Sequence, residues 1–349
     1  MLKKLMQKFV RRFLIFLDRF SPATKHKIMS FIRGAVATIL PDRLYFELER
    51  QARLSLRRGR QSGVGIYTSQ PKRKKTSYRI LTRPKNKISK ADIAVCCAFL
   101  GREKQLDLAI AESQFSKKSI VWFLMGSDAE DEAILERLSA TYENVYGAVC
   151  DNFPVGAKWQ SCVDFVNHLD FDYELLCITG SDDVIAAKGF DHVHDRYRHN
   201  LEFQKYSGLN TAPALFCTNG WYIYNKCQGS SYYHSLYKCH YNIEFMRQPL
   251  GAGRFYTRSY LKEIEGFLFD CSLNKNLDNW GYENLLMNGK EIALFSNLDV
   301  PVMSIKKKLE MNDFESILNS RNIAVSEIVF EGRKAFFSNF KVDVKGFEL

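Results

Sequence analysis

Hydrophobic and polar residues follow two different periods along the part of the chain from Asp92 to Thr179. Short apolar runs of strand length alternate with stretches whose apolar residues recur every three or four positions, which is the helical period. Strands that alternate with helices of this length predict an α/β fold with a doubly wound, mostly parallel sheet. The predicted strands are 93–99, 119–125, 144–149 and 174–179, and the predicted helices are 104–115, 131–142 and 158–169.

Beyond the fourth strand the pattern changes to aromatic-rich segments with a period of two, within residues 213–243. This predicts antiparallel strands that flank the main sheet. The aromatic faces of these strands suit two roles equally, stacking on sugar rings or filling an ordinary sheet core. Residues 299–310 are expected to close over the functional site described next. Residues 311–349 are expected to pack on the domain as a C-terminal extension.

Polar groups follow three of the predicted strands at their carboxyl ends, the edge at which open α/β sheets bind ligands. Adjacent carboxylates there offer the hard oxygen ligands that Mg²⁺ or Mn²⁺ prefer, and these ions commonly carry substrate phosphates. The pattern therefore predicts a metal–diphosphate site, although a solvated surface turn is the alternative for so short a motif. The three segments are Phe99-Leu100-Gly101-Arg102, Gly126-Ser127-Asp128 and Gly180-Ser181-Asp182-Asp183.

Several common functional signatures are missing from the sequence. Neither GxGxxG nor GxxxxGK[ST] occurs, which argues against a dinucleotide-dependent dehydrogenase and against a P-loop enzyme. The nine cysteines form no CxxC pair, which indicates reduced thiols in a cytosolic protein. The pair His192 and His194 has a spacing compatible with metal binding, but no third ligand stands at a useful spacing, so a polar helix face is the favoured interpretation.

Charge divides the chain into two parts. Residues 1–90 contain 24 Lys and Arg against 4 Asp and Glu, whereas the remainder carries a net charge of −9. Residues 1–20 place apolar side chains on one side of a helix and mainly basic side chains on the other, which is typical of a helix lying in a membrane interface. A helix docked on the protein's own core, or in an oligomer contact, is the alternative. Residues 57–90 lack acidic residues and predict a basic linker.

This organisation predicts three regions: a basic helical N-terminal region and linker at 1–90, an α/β domain at 91–310 and a C-terminal extension at 311–349. No stretch of residues 1–20 is long and uncharged enough to span a bilayer, for which about 18 apolar residues are needed. We therefore expect a cytoplasmic protein held at the inner face of the membrane by attraction to anionic lipid. Few aromatic residues accompany the basic linker, so no nucleic-acid partner is expected.

With these strand ends in place, the chain resembles the nucleotide-sugar glycosyltransferases of the GT-A fold, and more narrowly the family-2-type bacterial enzymes. The resemblance covers roughly residues 91–300. Asp182 and Asp183 stand where that family carries its DXD-type metal motif, and Gly126-Ser127-Asp128 stands where the family has an Asp in the nucleotide pocket. Lys158 stands where relatives carry a Lys or Arg near the donor. The usual Pro-x-Tyr-Asn after the first strand is replaced by Phe99-Leu100-Gly101-Arg102.

The resemblance implies a role for each of these residues. Asp183 would bind Mn²⁺ or Mg²⁺ directly, with Asp182 on the ribose or at a second metal position. The donor, expected to be a UDP-sugar, would also contact a further set of strand-end and loop residues. Arg254 joins this set because its guanidinium can hold a phosphate and it follows two glycines, Gly251 and Gly253, that allow close backbone approach. The complete donor set is Phe99, Arg102, Ser127, Asp128, Lys158, Asp182 and Arg254.

The same resemblance places a catalytic base after a Gly-rich turn, where one carboxylate takes the proton from the acceptor hydroxyl. Asp278 is the first candidate for this base, and Glu283 and Asp270 are the alternatives. Asp278 also suits the N-cap of a helix over 280–287.

Together these features predict a metal-dependent and inverting glycosyltransferase that acts on a lipid-linked or surface-polysaccharide acceptor, as in lipopolysaccharide biosynthesis. The rival interpretations are a nucleotidyltransferase on a similar sheet, and a basic nucleic-acid-binding or scaffold protein without catalysis.

Overall fold

The computed structural model describes residues 76–169, 171–207, 212–218, 220–225, 230–235, 251–274, 277–296, 299–306, 325–327 and 337–343. The amphipathic helix predicted over residues 1–20 lies outside these ranges, and so does most of the basic region that follows it. Within the described part of the chain, no helix is both long and apolar enough to cross a membrane.

The described elements alternate between strand and helix as the periodicity predicts, and the seven predicted between residues 93 and 179 are confirmed with ends shifted by at most three residues. The helices are α1 Glu103–Ser113, α2 Ala129–Thr141, α3 Val155–His168, α4 Ala187–Ser207, α5 Arg258–Glu263 and α6 Leu277–Met287. The strands are β1 Arg79–Thr82, β2 Lys90–Ala98, β3 Ile120–Gly126, β4 Val145–Val149, β5 Asp172–Ile178, β6 Asp183–Ile185, β7 Leu215–Thr218, β8 Gly220–Asn225, β9 Ser230–Ser235, β10 Arg254–Thr257, β11 Ile292–Phe295, β12 Val302–Lys306 and β13 Val325–Glu327.

The main sheet has the strand order β1-β4-β3-β2-β5-β10-β7-β11. Strands β4, β3, β2 and β5 are parallel to their neighbours within this group. On one side the sheet is extended by β10, which is antiparallel to both β5 and β7, and then by β11, which is parallel to β7. The fold is thus mixed α/β around a large sheet with a parallel centre, and the carboxyl ends of β2, β3 and β5 meet at one edge.

Both faces of the main sheet are covered, because successive side chains of each buried strand point to opposite sides. In β2, Val95 and Cys97 pack with α1, α2 and α4, whereas Ala94 and Cys96 pack with α3 and α6. Helices on both faces confirm the doubly wound arrangement, and the uniformly apolar strands are those expected for a parallel sheet buried on both sides.

A second sheet, ordered β13-β9-β8-β12-β6, stands beside the carboxyl edge of the first. The aromatic segment therefore divides between two sheets, since β7 joins the main sheet and β8 and β9 form an antiparallel hairpin in the second one. Phe216 of β7 is fully buried and Tyr224 of β8 nearly so, which favours the core role for these two rings over sugar stacking.

Two sequence expectations differ from the structure. Residues 79–82, inside the predicted linker, form β1, which pairs antiparallel with β4. Without β1, strand β4 would be an open edge of the main sheet. Helix α6 begins at Leu277, so Asp278 lies in its first turn and is not its N-cap. Strand β11 is too short for its periodicity to be recognised, and it is fixed by pairing with β7.

Candidate functional site

Asp182 and Asp183 lie in a tight turn that links β5 to β6. The backbone N–H of Gly180 donates to Asp183 Oδ2 at 3.0 Å, and the N–H of Asp183 donates to the carbonyl of Gly180 at 3.2 Å. From β12, the Ser304 hydroxyl contacts the other carboxylate oxygen of Asp183. Asp182 and Asp183 are only 7% and 8% exposed, so two adjacent carboxylates are held largely out of water. Such a pair is costly unless cations or hydrogen-bond donors face it.

Gly180 is required by the shape of this turn. A Cβ atom added at Gly180 would lie 2.5 Å from Asp183 Oδ2 and 3.2 Å from Asp182 Oδ1. Only a residue without a side chain lets both carboxylates fold back over the turn at this distance. The Gly-Ser-Asp-Asp order is therefore part of the site's construction.

Arg102, in the loop between β2 and α1, contacts the carboxylate pair. Its guanidinium lies 3.1 Å from Asp182 Oδ1 and 3.4 Å from the hydroxyl of Ser181. The side chain of Arg102 is one quarter exposed, so part of it reaches solvent at this edge. The structure thus brings together Arg102 and Asp182, two residues that the sequence predicts to share one site.

Asp131 joins the loops that follow β2 and β3, and sequence reasoning missed it. Its carboxylate is fully buried and accepts hydrogen bonds from the backbone N–H of Gly101 at 2.8 Å and of Ser127 at 2.7 Å. Burial raises the pKa of Asp131, although these two donors and the charge of Lys158 oppose the rise. Because Gly101 directly precedes Arg102, Asp131 also fixes the backbone from which Arg102 reaches Asp182.

We expect Asp131→Asn to weaken ligand binding at this edge by about tenfold, because an amide offers one acceptor oxygen where the carboxylate offers two. One of the two loops then loses its acceptor, and its unpaired backbone N–H costs roughly 1–3 kcal/mol. Isothermal titration with the nucleoside diphosphate that gives the largest thermal stabilisation of the unmodified chain measures the effect. The exposed Glu136→Gln on the same helix serves as the control, and equal affinity in both variants would contradict the role given to Asp131.

Lys158 lies at the start of α3 and is buried, with 3% of its surface exposed. Its ammonium contacts the carbonyl of Phe99 and donates to Asn152 Oδ1 at 3.1 Å. Burial lowers the pKa of Lys158, against the opposing charge of Asp131. The Phe99 side chain is 2% exposed and packs in the core, so the backbone is the part of Phe99 that borders the site.

Ser127, which is also predicted to contact the nucleotide-sugar donor, lies in the loop after β3. Its hydroxyl lies 3.5 Å from Asn152 Oδ1. Asp128 is the N-cap of α2, where its Oδ1 accepts from the N–H of Asp131 at 2.9 Å. Asp128 is exposed and stands on the same loop as Ser127. The spacing of Asp128 and Asp131 is a helix-start signature that could have drawn attention to Asp131.

Arg254 and Asp278 form a second group at the same edge. Arg254 is paired in register with Ile178, the last residue of β5, so both lie at the carboxyl end of that strand. The guanidinium of Arg254 is buried and donates to the backbone carbonyl of Asp278 at 2.9 Å, with Asp278 Oδ1 at 3.8 Å. Burial works against the charge of Arg254, but Asp278 and Tyr256 outweigh it, so the pKa of Arg254 is raised.

Asp278 combines an exposed carboxylate with a fixed backbone. Its side chain is 59% exposed, and a Cβ at Gly251 would lie 2.4 Å from its Oδ2. Gly251 therefore gives the carboxylate room against the loop that leads into β10. An exposed carboxylate that a buried arginine holds in place at the ligand edge can accept a proton from a bound hydroxyl.

The two alternative base candidates occupy different surroundings. Asp270 is 4% exposed, and its Oδ1 accepts from the N–H and the hydroxyl of Ser272, so it shapes its own loop. Glu283 is partly buried on α6, five positions after Asp278, and residues at that spacing do not share one helix face. Asp278 is thus the most accessible of the three.

The carboxylate pair fits a magnesium- or manganese-type ion. Mg²⁺ is commonly bound by one or two carboxylates, with phosphate oxygens and water completing its shell. Among the described residues, no third His, Cys, Asp or Glu lies within ligand distance of Asp182 and Asp183. Among these residue types, the described part of the chain therefore offers the two carboxylates as ligands.

Comparisons with known proteins show likeness at the level of solved structures. No protein-family model matches the sequence, and no curated protein matches it. Among solved structures, the chain is similar to the one described as "Crystal structure of S. aureus TarS 1-349", with 12% sequence identity and a TM-score of 0.41. The match covers 61% of this chain and 60% of that chain.

Proposed function

We propose that this protein is a nucleotide-sugar-dependent glycosyltransferase of the GT-A type that uses a divalent cation. The observation that carries the proposal is the buried Asp182–Asp183 pair beyond the end of a parallel central strand, with Arg102 beside it. Two carboxylates and a guanidinium at one sheet edge suit a metal-bound diphosphate, because the carboxylates attract the ion and the guanidinium attracts the phosphates.

Each group has a distinct part in the proposed transfer. Asp183 and Asp182 would hold Mn²⁺ or Mg²⁺, which when bound neutralises charge on a departing nucleoside diphosphate. Arg102 stabilises the same charge from the β2 side. Asp278 accepts the proton of the acceptor hydroxyl as that hydroxyl attacks the anomeric carbon, in a single displacement that inverts configuration. Arg254 keeps Asp278 in place through its carbonyl.

Thermal unfolding of the full chain against a panel of nucleoside diphosphates, with and without Mn²⁺, tests this proposal. A ligand that binds only the folded state stabilises it by about 2.7 kcal/mol when present at 100 times its Kd. We expect metal-dependent stabilisation by one nucleoside diphosphate, UDP in the first instance, and by its sugar conjugate. Stabilisation by a nucleoside triphosphate alone would favour a nucleotidyltransferase. Absence of any shift would contradict both enzymes.

We also propose a membrane-presented acceptor, lipid-linked or part of a surface polysaccharide, with residues 1–20 as the contact to anionic lipid. The support is the pattern of the sequence, since a basic amphipathic helix gains roughly 1 kcal/mol per Lys or Arg near an anionic surface. Replacing Lys4, Lys8, Arg11 and Arg12 by Gln is expected to release the chain from anionic vesicles in a sedimentation assay. Equal sedimentation of this variant and of the unmodified chain would contradict the contact.

A further inference from the structure

A second group of ligand-type side chains lies at the opposite edge of the main sheet. Asp92 is near the amino end of β2, Glu174 is near the amino end of β5, and His194 projects from α4. The parallel register pairs Ile93 with Leu175, which places Asp92 and Glu174 side by side on one face of the sheet. Helix α4 packs on β2 and brings the imidazole of His194 to both carboxylates.

The distances suit a shared ion. His194 Nε2 lies 3.0 Å from Glu174 Oε2 and 3.7 Å from Asp92 Oδ1, and the three ligand atoms lie within 4.8 Å of one another. Two ligand atoms that are each about 2.1 Å from one ion, at angles of 90–110°, are roughly 3.0–3.4 Å apart. Small side-chain adjustments would therefore bring the three atoms around one cation.

The remaining oxygen of each carboxylate is held by a separate partner. Asp92 Oδ2 accepts from the N–H of Ser119 at 2.8 Å and from its hydroxyl at 2.9 Å, and Glu174 Oε1 accepts from Arg198 at 3.1 Å. Each carboxylate thus turns one oxygen to the protein and the other to His194 Nε2. This is the way in which outer partners orient metal ligands.

Hydrogen bonding within the group does not satisfy both carboxylates. Nε2 carries at most one hydrogen, which Glu174 accepts, while Asp92 Oδ1 at 3.7 Å is beyond hydrogen-bond distance. The His194 side chain is 7% exposed, so the imidazole is buried between the two carboxylates and the rest of the protein. Two carboxylates therefore face a buried nitrogen ligand, and Arg198 pairs with Glu174.

We propose that Asp92, Glu174 and His194 bind one divalent transition-metal ion, of which Zn²⁺ is the first candidate, and that the ion fastens α4 to β2 and β5. One imidazole nitrogen with two carboxylate oxygens suits Zn²⁺, which commonly takes three protein ligands and a water. The carboxylates are 31% and 19% exposed, so water can reach the ion. Glu174 lies near the amino end of β5 and Asp182 lies beyond its carboxyl end, so this site does not depend on the proposed transferase function.

The full chain without an affinity tag, stripped with a chelator and dialysed against Zn²⁺, tests the site. We expect the unmodified chain to retain one more equivalent of Zn²⁺ than His194→Gln and Glu174→Gln do, and Zn²⁺ to raise its Tm but not theirs. Mutating a residue that only hydrogen-bonds to a metal ligand typically weakens metal binding 10–100-fold. Loss of a ligand itself is therefore expected to weaken Zn²⁺ binding by at least about 100-fold. His199→Gln, an exposed histidine on the same helix, is the matched control and should behave as the unmodified chain.

Two further measurements separate this site from other sources of zinc. Bound Co²⁺ should show visible absorption without the near-ultraviolet band of thiolate ligands, because the group contains no cysteine. Should His194→Gln fail to fold, Asp92→Asn decides, since it keeps the size of a partly exposed side chain. Equal zinc content in the unmodified chain and in the ligand variants, or a thiolate band, would overturn the proposal. The group would then be a set of ion pairs that holds α4 against β2 and β5. Asp183→Asn should keep this zinc.

Discussion

Asp183→Asn is expected to abolish the metal-dependent stabilisation by nucleotide and to lower turnover at least about 100-fold, because a carboxylate that holds the cation is replaced by a neutral amide. At a nucleotide concentration of 100 times the original Kd, a 100-fold loss in affinity reduces the stabilisation from about 2.7 to about 0.4 kcal/mol. The amide oxygen can still accept from the N–H of Gly180, and its NH₂ can donate to Ser304, so the turn itself is expected to survive.

Thermal unfolding with Mn²⁺ and the stabilising nucleotide measures the effect of Asp183→Asn, and turnover of the nucleotide sugar provides the second measure. The control is Asp151→Asn, which removes the same charge from an exposed position just beyond β4, at the same edge of the sheet. Near-normal stabilisation and turnover in Asp183→Asn would show that the pair does not hold the cation. A loss of both in the Asp151 control would point to a general charge effect.

Glu112→Ala is expected to lower the free energy of unfolding by about 3–5 kcal/mol, because three backbone N–H groups lose their acceptor. Glu112 is fully buried near the end of α1. Its Oε1 accepts from Ala187 at 2.9 Å, and its Oε2 accepts from Lys341 at 2.7 Å and from Val342 at 3.0 Å. One side chain therefore fastens the start of α4 and residues 337–343 to α1.

Urea unfolding of Glu112→Ala, Glu112→Gln and the exposed Glu136→Ala gives a graded comparison. The Gln variant keeps one acceptor oxygen and should lie between the other two, whereas the surface variant should stay within about 0.5 kcal/mol of the original chain. A loss below 1 kcal/mol in Glu112→Ala would mean that the three N–H groups find other partners. Because Ala187 follows β6 by two residues, the Ala variant should also loosen the turn that carries Asp183.

The candidate site was only partly visible in the sequence. The strand ends that carry Arg102, Ser127 and Asp182 could be assigned because each follows a long apolar run, and parallel strands bring their carboxyl ends to one edge. Asp131 escaped because its function is to accept two backbone N–H groups, and the sequence does not encode which N–H groups a carboxylate will meet. Arg254 is predicted to contact the donor, and its contact with the backbone carbonyl of Asp278 became visible only in the structure.

His194 shows the same limit for a different reason. The sequence offered no third ligand near His192 and His194, because ligand spacing along the chain is informative only when the ligands share one element. In the structure His194 faces Glu174, 20 positions earlier, and Asp92, 102 positions earlier. The ring of His192 packs against Phe295 instead.

The sequence by itself determined the alternation of strands and helices, the doubly wound α/β class and the edge at which Asp182 and Asp183 stand. These features depend on the period of apolar residues and on glycine turns, which are properties of neighbouring positions. The tertiary structure alone decided the contact of Ser304 with Asp183, the pairing of β6 with β12, and the meeting of Asp92, Glu174 and His194. Such contacts join residues far apart in the chain, and packing of the whole sheet and its helices selects them from many combinations that local pattern permits equally.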